Sequence, residues 1–209
     1  MRLLSFVAVV LAVGCGSSPL PESESSTAAV RAPDGKETPT GCGFEVEVFD
    51  QQERRHLKPD VPTDFDTVPA TGGNHYAIWG AWGPYREPVN PGHYVHNLEH
   101  GGVGIFYKAD AADLDLEAAL MLAVKEAGQD PGCPEGTARV IVAPEPTLTS
   151  TFALVAWGKR YPSDALDIPA FACFIAAYRG QSFENTCAHG QALKGFAGGQ
   201  FDEAAVMRP

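Results

Sequence analysis

The sequence predicts an α+β domain: a mostly antiparallel sheet, two helices packed on it, and a long Gly/Pro/aromatic-rich loop that carries a cluster of histidines. Three observations predict it. Phe44-Glu45-Val46-Glu47-Val48-Phe49 alternates apolar and acidic residues, the period of two of a half-buried strand with Glu45 and Glu47 outward. Leu116, Leu120 and Val124 recur at helical spacing between Ala111 and Ala127, with Gly128 as the stop. Phe171, Phe174, Ile175 and Tyr178 repeat that pattern behind Asp167 as N-cap and Pro169 in the first turn, and Gly180 ends it.

Between the first strand and the first of these helices the chain loses its periodicity. Gln51 to Asp66 is polar with Pro59 and Pro62, and Val68 to Pro91 mixes glycine and proline with Tyr76, Trp79, Trp82 and Tyr85. So long a non-periodic stretch in a compact domain is usually functional. It holds His75, where Gly72-Gly73 lets backbone approach closely. Regular structure resumes with a strand at Val103 to Tyr107. After the helix come strands at Ala138 to Ala143 and Thr151 to Trp157, joined by a Pro-containing connection that reads as a hairpin. The order strand, helix, strand, strand, helix gives one layer of helices on one sheet, in a single domain from 42 to 209.

Ahead of that domain, Met1 to Cys15 has one basic residue, Arg2, then an apolar run from Leu3 to Val13 that is too short for a stable bilayer span. Residues 1–14 read as a signal peptide. Leu11-Ala12-Val13-Gly14-Cys15 resembles a bacterial lipobox, which makes Cys15 the lipidated residue; Ala12 stands where a larger aliphatic residue is usual. Residues 15–41 are Ser/Pro/Glu-rich for most of their length and read as a disordered tether that holds the domain off a membrane. The expected location is the cell envelope, on the periplasmic or outer-surface side, with the membrane reached through the N-terminal lipid.

A formal charge of −11 is repelled by nucleic acid and by anionic headgroups, so neither is expected as a partner, and no protein partner is legible. Export to an oxidising compartment makes Cys42, Cys133, Cys173 and Cys187 two disulfides. Of the three connectivities the reading leans to Cys42 with Cys133 and Cys173 with Cys187. No C-x-x-C is present, which argues against a redox motif or zinc ribbon.

The chemistry concentrates in Asn90-Pro-Gly-His-Tyr-Val-His-Asn-Leu-Glu-His-Gly-Gly-Val103, which holds three of the six histidines, His93, His96 and His100, with Glu99 beside the last. Asn90 as N-cap, Pro91 as first helical residue and Gly101 past the end frame a short helix, on which His96 and His100 stand at i and i+4. An extended chain would also put them on one side. Two imidazoles on one face repel when protonated, and a shared divalent cation relieves this by taking the neutral nitrogens. With an added carboxylate the donor set suits zinc or copper. Methionine numbers only three, with Met1 in the signal, which disfavours a Met-rich Cu(I) carrier.

Pro69-Ala70-Thr71-Gly72-Gly73-Asn74-His75-Tyr76, Trp82-Gly83-Pro84-Tyr85, Val95-His96-Asn97-Leu98-Glu99-His100-Gly101-Gly102-Val103, Ala156-Trp157-Gly158 and Tyr178-Arg179-Gly180 together resemble the bacterial domain-of-unknown-function family 3105, over about Pro62 to Glu184. The resemblance implies an exported or membrane-tethered protein and carries no activity. It places His75, His96 and His100 on motif positions and leaves His56 and His93 off them, which makes the first three, with Glu99, the expected metal ligands. Ala70 and Asn74 depart from the proline common there, which implies a less rigid first loop.

Three functions compete. The first is a metal-binding envelope module with Trp79, Trp82 and Tyr85 walling the site. The second is a zinc hydrolase, since His96-Asn97-Leu98-Glu99-His100 matches H-x-x-E-H, with Glu99 as catalytic base and Glu184 as a third ligand. The third is a structural or interaction lipoprotein whose histidines satisfy backbone groups.

Overall fold

The computed structural model describes residues 31–50, 53–108 and 114–197. The expected signal peptide and lipidated Cys15 lie outside them. Among the described residues nine strands and three helices follow in chain order: β1 Gly35–Glu37, β2 Val46–Val48, β3 His56–Leu57, β4 His75–Tyr76, β5 Gly83–Pro84, α1 Pro91–Glu99, β6 Val103–Tyr107, α2 Leu114–Glu126, β7 Val140–Pro144, β8 Phe152–Ala156, β9 Lys159–Ser163 and α3 Ile168–Tyr178. Seven strands form one sheet in the order β1-β2-β9-β8-β6-β7-β5, and β3 and β4 form a separate pair. Pairings from β1 through to β6 are antiparallel; β7 runs parallel to both β6 and β5.

The central strands β6, β7 and β8 are buried along their whole length, and alternate residues serve two cores. Val103, Ile105, Val140, Val142, Phe152 and Leu154 pack with Leu116, Leu120 and Val124 of α2 and with Phe171, Phe174 and Ile175 of α3. Phe106, Ile141, Ala143, Ala153 and Val155 pack with Tyr94, Val95 and Leu98 of α1 and with Trp82 and Tyr85. The expected class holds, but three helices cover the sheet rather than two, and the third sits with the opposite core. It adds the short helix that carries His96 and Glu99, so the histidine cluster is not borne by a loop alone.

Three further expectations change. β7 and β8 do not form a hairpin. β6 lies between them, because the α2 crossover delivers β7 parallel to β6 while β8 takes β6's other edge. The hairpin partner of β8 is β9, across a turn at Trp157-Gly158 with Gly158 at φ +68°. The disulfides are Cys42–Cys173 and Cys133–Cys187, not the pairing expected. Residues 42 and 173 meet where Phe44 stacks on Tyr161 of β9 and Tyr161 on Phe174 of α3. Finally, the ordered structure takes in residues from Arg31, inside the stretch read as tether. β1 adds to β2 in register Lys36↔Glu47, Lys36 Nζ lies 3.0 Å from Glu45 Oε2, and Arg31 pairs with Asp34 and Asp66. Ion pairs fasten a stretch that has little apolar surface to bury.

Candidate metal centre

α1 forms where the sequence frames it. The Asn90 side chain accepts from Gly92 N at 2.8 Å, and Pro91 occupies the first turn, where its missing N–H costs nothing. At the other end Gly101 takes φ +80°, and its N–H and that of Gly102 bond back to Leu98 O and Asn97 O. Gly102 has no room for a side chain, since a Cβ would stand 2.5 Å from the Trp82 ring. With Tyr94, Val95 and Leu98 committed to the core, His96, Glu99 and His100 project from the face beside the β3–β4 pair. Asn97 pins the neighbouring loop: its Oδ1 accepts from Gly80 N at 2.9 Å and its Nδ2 donates to Gly80 O at 2.8 Å.

β3 and β4 supply the other two histidines. They pair in parallel with His56 directly opposite His75. Asn74 holds them together, accepting from Arg55 N at 2.8 Å and donating to Glu53 Oε2. Ala70 N donates to Tyr94 Oη at 2.7 Å. The two positions that depart from proline are thus tied by bonds that proline could not make, rather than left loose.

Donor atoms of His56, His75, His96 and Glu99 lie within 4.8 Å of one another. Glu99 Oε2 is 3.0 Å from His75 Nε2 and 3.3 Å from His56 Nε2. His75, His96 and Glu99 are buried. The bonds at the far ring nitrogens fix the tautomers. His75 Nδ1–H donates to Gly73 O at 2.8 Å and His96 Nδ1–H donates to Tyr76 O at 2.7 Å, which leaves Nε2 of each as the ligating nitrogen. His75 therefore faces an acceptor at both nitrogens. Its Nε2 needs either a second proton or a cation between it and Glu99. Ligands held about 2.0–2.2 Å from a tetrahedral zinc stand roughly 3.4 Å apart, so the Glu99 contacts at 3.0 and 3.3 Å would open slightly and the widest donor pairs, within 4.8 Å, would draw in.

The electrostatics keep His96 and Glu99 in ligating form. Burial pushes His96 down to about 4, against the Tyr76 carbonyl that favours its charged form, and the neighbouring histidines depress it further. His100 is also lowered, mainly by burial and partly offset by Glu184 and Glu99. Burial alone would raise Glu99, but the hydrogen bonds and charges of His75 and His56 outweigh it and hold the group below the ordinary glutamate range.

The structure thus brings His75, His96 and Glu99 together, and adds His56, which the sequence reading set aside. His100 meets the ligating nitrogen of His96, Nε2 to Nε2 at 3.0 Å, and lies 3.4 Å from Glu184 Oε2; its buried Nδ1 has no hydrogen-bond partner among the described residues. His93 turns away to Ile78 O. Of the expected aromatic walls, Trp79 touches the rings of His96 and His100 at 5.0 and 4.6 Å, whereas Trp82 and Tyr85 belong to the core beneath. Trp157, not anticipated as a wall, stands edge-on to His75 at 5.9 Å.

The back of the site is braced. Arg139, at φ +45°, forms a buried two-point pair with Asp130 at 2.6 and 2.9 Å and donates to His100 O at 3.1 Å. Glu184 N donates to Glu99 O at 3.1 Å and Gly180 N to Gly101 O at 2.8 Å. The Cys133–Cys187 disulfide joins the segment carrying Asp130 to the segment that covers the helix end.

Fold and site define a disulfide-stapled α+β domain with a group of three histidines and a carboxylate, buried except at His56, that could hold a cation. The chain belongs to the family described as a protein of unknown function (DUF3105), whose sequence pattern matches residues 56–191. The match begins at His56 and takes in every residue of the cluster, as well as His100 and Glu184. No curated protein and no solved structure matches the chain.

Proposed function

We propose that this protein is a metal-binding module of the cell envelope, taking one zinc or copper ion on His56, His75, His96 and Glu99. The observation that carries the reading is the double demand at His75: a carbonyl at one nitrogen and a carboxylate at the other, with two more donors within reach. Three imidazoles and one carboxylate suit a borderline divalent ion, and the carbonyl partners orient the rings as outer-shell groups do at metal sites. Export and attachment through a lipid on Cys15 are part of the proposal. They rest on the N-terminal sequence and are supported by two disulfides, which persist in oxidising compartments.

Elemental analysis tests it on the chain from Gly16 onward, which keeps Arg31 and β1, expressed in an oxidising compartment. One equivalent of zinc or copper is expected in the wild type and none in His75→Ala or His96→Ala. Wild-type protein that takes up neither ion would overturn the reading.

A second reading, a zinc hydrolase, draws on the 3.4 Å approach of Glu184 to His100, because His96, His100 and Glu184 would then be the ligands and Glu99 the base. Against it, Glu99 faces His75 and His56. Peptide or ester cleavage lost in Glu99→Gln with zinc retained would favour this reading; no turnover by the wild type across a broad panel would end it.

A further inference from the structure

The four donors are not held alike. His75 and His96 each anchor Nδ1 on a backbone carbonyl, and Glu99 sits on the last turn of a capped, core-packed helix. The side chain of His56 is 44% exposed, against 0% for His75 and 3% for Glu99. Among the described residues, the ring contacts of His56 are with His75 at 5.0 Å and His96 at 4.5 Å. Its strand is two residues long and pairs with β4 alone. Besides the β3–β4 ladder itself, Arg55 O accepts from His75 N at 3.1 Å, Leu57 O accepts from Ala77 N at 3.4 Å, and the Asn74 side chain accepts from Arg55 N. By contrast the rest of the site is fixed by α1, two cores, the Arg139–Asp130 pair and a disulfide, none of which needs an ion to form.

On the metal-binding reading above, we propose that the site exchanges its ion rather than keeping it as a structural element, and that His56 is the ligand that yields. An incoming donor of an acceptor, a thiolate, imidazole or carboxylate, bonds to the ion as the His56 Nε2–metal bond breaks. The ion keeps its charge, and the freed Nε2 lone pair takes a hydrogen bond from water. The three buried donors hold the ion until transfer is complete. Structural zinc sites are closed and contribute directly to folding. Here the preformed shell is open on one side, which suits a cargo ion.

Stopped-flow release of zinc from the loaded chain to excess chromophoric chelator tests the proposal. His56→Ala is expected to bind one equivalent and release it roughly ten- to a hundredfold faster, and Asn74→Ala, which leaves every ligand in place, to release it several-fold faster. Near-UV circular dichroism of the wild type should be the same with and without zinc. Loss of all zinc in His56→Ala, release rates unchanged in both variants, or a wild type that unfolds on zinc removal would each overturn the exchange proposal while leaving a metal site standing. Failure of the wild type to bind zinc or copper at all would instead remove the reading beneath it.

Discussion

Asn97 ranks with the ligands in what it does for the site. Its carboxamide replaces both backbone partners that Gly80 would otherwise lack, and Gly80 is fixed closely enough that Gly190, packed on it, has no space for a Cβ. Asn97→Ala leaves a buried N–H and C=O unpaired, and a loss of about 1–3 kcal/mol is expected by urea unfolding. Because Gly80 follows Trp79, which packs on His96 and His100, the same variant should also weaken zinc binding; unchanged stability would refute this account. Residue by residue, the part of the site legible from spacing was the part on α1, and His75 on β4 was reached through the family resemblance. His96, Glu99 and His100 are close in sequence, so one turn of helix fixes their relation. His56 was not legible, since its place follows from a parallel register between two-residue strands, and a period of two leaves no trace over so short a run. His100 shares a face with His96 as expected, but it is the C-cap, and its Nε2 meets that of His96 rather than the oxygen of Glu99.

Among the elements, those with their own stop and start signals were readable and those defined by partners were not. α3 begins at Asp167, which accepts from Ala170 N at 3.0 Å, and buries the stripe its spacing announces. β9 escaped notice because Lys159-Arg160-Tyr161-Pro162-Ser163 carries charge and proline; it lies between β8 and the short β2, where Arg160 pairs with Glu47 at 2.6 Å. Cysteine pairing depends on which segments the sheet and helices bring together, which sequence spacing does not encode. The Cys133–Cys187 bridge closes 54 residues and fastens the segment that lies over the end of α1. By the chain-entropy relation it contributes about 4 kcal/mol. The double variant Cys133→Ser, Cys187→Ser should therefore unfold at distinctly lower urea. It should also show faster amide exchange at Glu184, whose N–H is bonded to Glu99 O. Equal protection there in both proteins would show that the disulfide does not brace the site.

For the molecule as a whole, burying a cluster of titratable groups makes folding sensitive to pH whenever no ion is bound. His96 has a folded value of about 4, below the roughly 6.5 of an unfolded histidine. Between those values the unfolded chain binds a proton that the folded chain refuses, so stability rises with pH across that window. The contribution is complete above about pH 6.5, is lost as pH falls toward 4, and amounts to roughly 3 kcal/mol for this group. His100 is lowered in the same direction and adds to the slope. Glu99 and Asp130 are held below the ordinary carboxylate range, so their contributions are full above it and disappear only as pH falls further, which places a second loss beneath the first. Urea titrations in chelator at pH 7.5, 5.5 and 4.0 should show the midpoint falling at each step. His96→Gln should shrink both drops, since each lies in the window from about pH 6.5 to 4 that His96 sets. Saturating zinc should move the upper loss to lower pH, because the ion binds only the folded shell and competes with the same protons. A midpoint independent of pH between 7.5 and 4.0 in chelator would contradict the burial of neutral histidines on which both the donor set and its exchange at His56 depend.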